Sequence, residues 1–291
     1  MTNKASASKI QLPLQTKYRV SAIAASRTAG LLILSCSAML HIANADQPAT
    51  EIAPLRQAHA HNDYLHDRPL LDALDHGFCS VEADVFLVDG ELLVAHSRSE
   101  LSPDRTLKRL YLDPLRERVQ RGGGRVYLGG PVVTLLIDFK ADGAATYAAL
   151  DKLLSQYPDV ISVIRDGQRT EKAVNVVISG DRPFAAVASD KERLAGLDGR
   201  LSDLDSDMPA HLMPMISDRW GKHFKWRGEG EMSGEEQAKL AAIVAKVHAK
   251  GRVLRVWAIP DNPRSWRAMQ AAGVDLINTD DLKGLSQMLQ E

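Results

Sequence analysis

SVEADVF, residues 80–86, is a β-branched apolar run carrying two carboxylates, and its pattern says what kind of sheet the chain builds. On a strand, residues two apart share a face, so Glu82 and Asp84 point together while Val81, Ala83 and Val85 point the other way. Working outward, short runs of similar kind recur at 56–61, 133–139, 174–179, 184–188, 212–217, 253–258 and 276–279. Most are continuously apolar, as strands covered on both faces are. Helical patterns fall between them at 69–76, 144–156, 189–197, 234–250 and 263–272. Ser233 and Glu236 make a capping box for the fourth of these, and Gly251 is placed to end it. Eight strands alternating with helices predict a single-domain TIM (β/α)8 barrel over residues 46–291, with a doubly wound open sheet as the rival. The stretches 90–96 and 159–167 are candidates for additional hairpin strands.

Residues 1–45 read as an export signal and are set aside from the fold. Lys4, Lys9, Lys17, Arg19 and Arg27 carry all the charge there, and the apolar run AGLLILSCSAML precedes Ala43-Asn44-Ala45. That run is too short for a membrane span, which needs about 20 apolar residues. Cleavage is expected after Ala45, giving a periplasmic or secreted protein; a lipoprotein acylated at Cys36 is the competing reading. Those five are among the chain's 36 basic residues, so 31 remain against 37 acidic ones, and residues 46–291 carry a net charge near −6. This balance argues against a nucleic-acid partner. Cys79 is then the one cysteine left, so stability rests on packing rather than on an internal disulfide.

In a barrel, functional side chains gather where strands end. By this reading strand one ends in His59 and His61, the second carries Glu82 and Asp84, the third ends in Asp138 and Lys140, the sixth in Asp218 and the eighth in Asp280. Adjacent carboxylates in an apolar segment repel unless a positive charge stands between them. A divalent cation meets that need, and oxygen-only ligation by Glu82, Asp84 and Asp138 favours Mg2+ or Ca2+ over zinc. The plain alternative is a carboxylate paired with a lysine or arginine and another solvated at a strand end. His96 closes DGELLVAH, which doubles back after a turn at 88–90 and returns to the mouth where His61 stands. Two imidazoles flanking one centre can serve as general base and general acid, a pairing suited to a phosphodiester, with the cation and Lys140 countering charge on its non-bridging oxygens. For a single histidine the ordinary role is a hydrogen-bonded structural one, and His66, His76, His223 and His248 are read that way.

AHNDY (60–64), LLDALDHGFCSVEADVFLVDGELLVAH (70–96), LLIDFK (135–140) and VWAIPDNPRSWRAMQAAGVDLINTDD (256–281) together resemble the phosphatidylinositol-phospholipase-C-like phosphodiesterases. Within that superfamily they are most similar to the glycerophosphodiester phosphodiesterases, the sphingomyelinases D and the altered-inheritance-of-mitochondria branch. The resemblance spans almost all of residues 46–291 and implies a TIM barrel with two catalytic histidines and a carboxylate-bound cation, magnesium or calcium. It assigns the histidines to His61 and His96, the paired metal ligands to Glu82 and Asp84, and a further ligand to Asp138. Lys140 matches the family's lysine, and Trp257 the strand-seven tryptophan that lines the site. The HRG and PENT motifs of the glycerophosphodiesterases are absent and HND stands instead, so their head-group specificity does not carry over. Asn62 in that triplet orients the phosphate or a ligand, or simply forms a turn. His59, sharing the inward face, becomes a partner that fixes the site's imidazole or a ligand, although His59 and His61 are interchangeable at this level.

The substrate is thereby expected to be a small-molecule or lipid phosphodiester, with no protein partner inferable. Lysophospholipids, glycerophosphodiesters, phosphoinositides and sphingolipids all fit, as do both hydrolysis and release of a cyclic phosphate. The His-x-His pattern has a rival reading as a metal-dependent hydrolase of the amidohydrolase or PHP type, which needs further histidines at later strand ends; His211 is the one near a suitable strand. A decayed, non-catalytic exported binding domain is the third reading. Residues 217–236 place Trp220, Phe224 and Trp226 among basic residues. They read equally as a lid making transient contact with a substrate head group or membrane surface, and as a loop whose aromatics pack on the barrel.

Overall fold

The computed structural model describes residues 52–291, which fall within one compact unit, Thr50–Glu291. The expected export signal lies outside the described residues. Eight parallel strands close on themselves: β1 (Leu55–Ala60), β2 (Phe78–Val88), β3 (Val133–Phe139), β4 (Val174–Gly180), β5 (Ala195–Gly199), β6 (Met215–Arg219), β7 (Val253–Trp257) and β8 (Leu276–Thr279). Each pairs with its successor, and β1 pairs with both β8 and β2, which makes the sheet a barrel and excludes the open-sheet alternative. Both expected hairpins exist. Glu91–Val94 runs antiparallel on β2, and Val163–Arg165 pairs with Gln168–Thr170 away from the barrel sheet.

The alternation of β-strand side chains divides the core in two. Outward-facing Val81, Ala83, Val85, Leu135, Ile137, Val176 and Ile178 pack under the helices in one continuous apolar cluster. Inside the barrel a separate, small group, Leu136, Val177, Met215 and Leu276, closes the bore. Two residues further along β3, β4, β6 and β8 the same face presents Asp138, Ser179, Ser217 and Asn278, so the bore turns polar toward the strand ends. Eight short strands thus bury apolar surface outside while holding a polar interior.

Helix positions follow local signals. The helix Pro263–Ala272 starts with Asn262, whose side chain accepts from Ser265 N–H at 3.0 Å, and stops at Gly273 in the left-handed region. Ser233 likewise caps Gly234–Ala249 by accepting from Glu236 N–H. The expected capping box is only half made, because the Glu236 carboxylate instead receives the backbone N–H groups of Lys225 and Trp226.

The sequence placed the fifth strand wrongly. Residues 184–188, expected as a strand, form the helix Phe184–Ser189, and the expected helix at 189–197 gives way to Glu192–Arg193 and to β5. An alanine-rich apolar run of this length suits either state, whereas AGLDG reads as a turn because of its glycines. Close approach requires those glycines: a Cβ on Gly196 would stand 2.7 Å from Pro214 Cδ, and one on Gly199 2.5 Å from Met213 Sδ. The sixth strand also begins later than expected, at Met215, past Pro214.

The aromatic side chains of this segment pack inward on the barrel, as the second of the two readings expected. Trp220, Phe224 and Trp226 are all buried; Trp220 stacks on Phe224 with centroids 3.9 Å apart and meets Trp226 edge-on. The Trp220 indole N–H donates to the Trp226 carbonyl at 2.7 Å. Replacing Trp220 by alanine is expected to destabilise the fold by roughly 3–5 kcal/mol, as for other buried aromatics, a change urea unfolding would register.

Candidate active site

Register brings the acidic residues together. Asp84 of β2 stands directly beside Asp138 of β3, and Glu82 lies one inward step below. Oxygens of Glu82, Asp84 and Asp138 come within 4.8 Å of one another, the one such metal-compatible group among the described residues. Two permanent cations share this space. Arg255 of β7 donates through Nη2 to Glu82 at 2.5 Å and through Nε to Asn278 at 3.0 Å. Lys140 Nζ lies 2.7 Å from Asp84 Oδ2 and 3.0 Å from Asp138 Oδ1.

Burial and electrostatics set the charges. Burial works to raise the Glu82 carboxyl, but Arg255 and the bond to His59 outweigh it and hold Glu82 below the ordinary range, ionised. His59 is fully buried, 2.7 Å from Ser80 Oγ and 3.4 Å from Glu82 Oε2; burial and Arg255 lower its pKa to about 3, so it is neutral. Asp138 is raised by burial and by Asp84 and Glu82, against the opposing pull of Lys140. Three carboxylates against two fixed cations leave one excess negative charge. Asp84 Oδ1 is buried without any hydrogen-bond partner. An orphaned carboxylate oxygen in an over-acidic cluster is where a cation would be accommodated, so the donor set fits a hard divalent ion.

Both histidines are held through Nδ1. His61 Nδ1 lies 2.8 Å from Asp280 Oδ1, and His96 Nδ1 lies 3.0 Å from Asp84 Oδ2. A carboxylate only accepts, so each ring carries its proton on Nδ1 and presents Nε2 as the exchangeable nitrogen. The Asn62 amide is 2.9 Å from His61 Nδ1 and 2.8 Å from Tyr64 Oη, and that hydroxyl is also 2.6 Å from Asp84 Oδ2. One hydroxyl hydrogen serves one acceptor. With the Asn62 oxygen turned to His61 and its NH2 to Tyr64, the hydroxyl donates to Asp84, and the single Nδ1 hydrogen of His61 is shared between Asp280 and the Asn62 oxygen. Asn62 occupies the left-handed region at φ 46°, a conformation asparagine tolerates better than most side chains. Asn62 is therefore both a turn residue and a site residue.

A cavity of about 260 Å³ at the strand ends is lined by His61, Asn62, Glu82, Asp84, His96, Asp138, Lys140 and Trp257, together with Ser179, Arg200 and Arg255. Every residue singled out from the sequence as catalytic, metal-binding or substrate-binding lies in it. His59 is not on its wall. His211, needed by the two-histidine metal reading, has Nδ1 2.7 Å from Arg193 Nη2. Asp218 also turns aside, to Lys222 and His223. A larger hollow of about 950 Å³ borders the helices Gly234–Ala249 and Pro263–Ala272, but no histidine is among the described residues lining it. The smaller cavity is the one that gathers the histidines and the acidic cluster.

Arg255, Arg200, Ser179 and Tyr64 escaped sequence reasoning. Arg255 was legible as a lone charge in VLRVW, two residues before Trp257 and so on its face. Arg200 was hidden with the misplaced fifth strand; Asp198 positions it, accepting from Arg200 Nη1 at 2.6 Å, Ser179 Oγ at 2.8 Å and Ser217 Oγ at 2.6 Å. Tyr64 belongs to the AHNDY motif but had no assigned role.

Residues 47–124 match the AIM6-like phosphodiesterase domain, and residues 253–283 the glycerophosphoryl diester phosphodiesterase family. The chain is similar to altered inheritance of mitochondria protein 6 of Eremothecium gossypii, 31% identical over 278 residues that cover 81% of this chain and 70% of that protein. It is also similar to the altered inheritance of mitochondria protein 6 homolog of Arthroderma benhamiae, 28% identical over 258 residues, 77% of this chain and 81% of the relative. A glycerophosphodiester phosphodiesterase structure from Agrobacterium tumefaciens aligns with TM-score 0.49 and 16% identity, over 80% of this chain and 98% of that one.

Two consequences are measurable. Arg255→Met strands an ionised Glu82 in the bore and should cost about 3–5 kcal/mol; adding Glu82→Gln should recover much of that loss in a double-mutant cycle of unfolding free energies. Beside the site, Asp63 is buried and its pKa is raised from 3.8 to about 7 by that burial, against the Leu70 N–H and Tyr111 hydroxyl it accepts from. A raised carboxyl stabilises the fold fully below the unfolded value and loses that contribution as pH climbs toward 7. The lowered His59 acts oppositely, its contribution being lost as pH falls from 6.5 toward 3. Thermal melts should show the stability of the parent relative to Asp63→Asn declining as pH rises from about 4 to about 7.

Proposed function

The chain belongs to the altered inheritance of mitochondria protein 6 family, within the glycerophosphodiester-phosphodiesterase-like superfamily, and on that premise we propose that it is a phosphoric diester hydrolase acting on a small-molecule or lipid phosphodiester. The observation that carries this reading is the cavity in which two imidazoles, each fixed through Nδ1 to a carboxylate, flank an acidic cluster and Lys140. One ring, entering neutral, removes the proton from the attacking hydroxyl at Nε2. The other, entering protonated on both nitrogens, gives its Nε2 proton to the leaving oxygen, and the two rings return to their starting states by proton exchange with water. Asp280 and Asp84 keep both rings in the tautomer this exchange requires. Lys140 and Arg200 face the developing negative charge on the phosphoryl oxygens. Glu82, Asp84 and Asp138 would hold a divalent cation, Mg2+ or Ca2+, which supplies further positive charge to the non-bridging oxygens when bound. Trp257 forms an apolar wall against which the organic part of the substrate rests. Export remains part of the proposal, on the strength of the composition of residues 1–45.

Turnover of a mixed phosphodiester panel, with magnesium or calcium added and then removed by a chelator, tests the reading, and product masses separate hydrolysis from release of a cyclic phosphate. His61→Ala and His96→Ala should each lower turnover by roughly 10²–10⁴-fold while the melting temperature is kept. Equal turnover in parent and both variants would overturn the assignment.

A further inference from the structure

Beside the acidic cluster, on the β6–β7 side of the mouth, lies a second hollow of about 270 Å³ lined by Arg219, Gly221, Lys222, Arg227 and Ala258. Three of its five lining residues are permanent cations, in a region of the chain whose net charge is near −6. It is therefore not part of a generally basic surface. Lys222 is partly balanced by Asp218, 3.3 Å away, and Asp218 is shared with His223 at 3.0 Å. Among the described residues no carboxylate lies within ion-pair distance of Arg219 or Arg227. Arg227 is anchored by donating through Nη1 to the carbonyls of Phe224 and Trp226, at 2.8 and 3.1 Å. Its Nη2 looks toward Gly221, where an added Cβ would stand 3.7 Å away, so the missing side chain keeps the hollow open.

This hollow adjoins the cavity already described. Arg219 and Trp257 are cross-strand neighbours at the ends of β6 and β7, and the guanidinium carbon lies 6.0 Å from the indole centroid. Trp257 lines the first cavity and its successor Ala258, in the left-handed region at φ 55°, lines the second. Two guanidinium groups without a carboxylate partner, with Lys222 lining the same concavity, favour an anion between them, and planar guanidinium groups match phosphate oxygens in pairs. We propose that Arg219, Lys222 and Arg227 form a second anion subsite that receives a terminal phosphate on the head group of the phosphodiester whose scissile phosphate sits across Trp257. The proposal rests on the phosphodiesterase reading and narrows its substrate to diesters that carry an additional phosphomonoester.

The test compares sn-glycero-3-phosphoglycerol with the same diester bearing a terminal phosphate, using the parent protein, Arg219→Gln, Lys222→Gln and Gly221→Asp. The last variant supplies the hollow with its own carboxylate and leaves all three cations in place. The parent should show a KM roughly 10- to 100-fold lower for the phosphorylated diester, the scale of one or two charge-assisted hydrogen bonds. Each variant should shrink that preference while keeping its rate on the unphosphorylated diester. Equal KM values in the parent, or a preference intact in all three variants, would overturn the subsite. Should no diester be turned over at all, the phosphodiesterase reading fails, and the subsite is then judged by inorganic phosphate alone. A thermal shift with phosphate that appears in the parent and is lost in Gly221→Asp supports it, and an unchanged or absent shift rejects it.

Discussion

The ion pair between Arg255 and Glu82 is the constraint on which the upper half of the barrel depends. It crosses the bore from β7 to β2, between residues 173 apart in sequence, where both side chains are nearly inaccessible to water. An unpaired charge at that depth would be heavily penalised. Arg255 is further held by Asn278 of β8, and Glu82 by neutral His59 of β1. Four strands are therefore joined by one polar layer directly beneath the cavity. Below it Leu136, Val177, Met215 and Leu276 shut the bore. The cavity has a floor because apolar packing stops there, and it has charge because the polar layer above is satisfied from within.

Everything at the mouth is arranged by carboxylates that only accept. Asp84 collects the Tyr64 hydroxyl, His96 and Lys140 on a single oxygen and leaves the other without a partner. Asp280, at the end of the strand paired with β1, accepts from His61 alone. Since each imidazole meets an acceptor at Nδ1, its tautomer is decided by the protein and not by the solvent. His96 is largely exposed, with 62% of its side chain accessible, while Asp84 beneath it is buried. A fixed ring whose outer nitrogen reaches water is suited to exchanging protons.

How far the chain can be read varies from strand to strand, for physical reasons. Alternation in SVEADVF and LLIDFK is unambiguous, and Val133–Phe139 and Leu276–Thr279 fall where the pattern placed them. The fifth strand failed because its defining requirement is close backbone approach to Pro214 and Met213, met by glycines that locally signal a turn. Arg200 followed that strand and was lost with it. Trp220 and Trp226 were ambiguous because an aromatic next to basic residues looks the same whether it packs on the barrel or faces solvent; only their burial separates the two. Arg255 was overlooked for a different reason: its partner Glu82 is remote in sequence.

The sequence by itself determined the strand and helix alternation, the inward faces that carry Glu82, Asp84, Asp138 and Lys140, and the candidacy of His61 and His96. These depend on period and on residue type, which are local properties. Tertiary structure alone decided that Glu82 is neutralised by Arg255, that Tyr64 and Asn62 complete a hydrogen-bond chain to Asp84, and that Arg219 meets Trp257 beside a second basic hollow. Each of these depends on barrel closure, which fixes strand register and brings side chains from different strands within hydrogen-bond distance; no pattern within one segment contains that information.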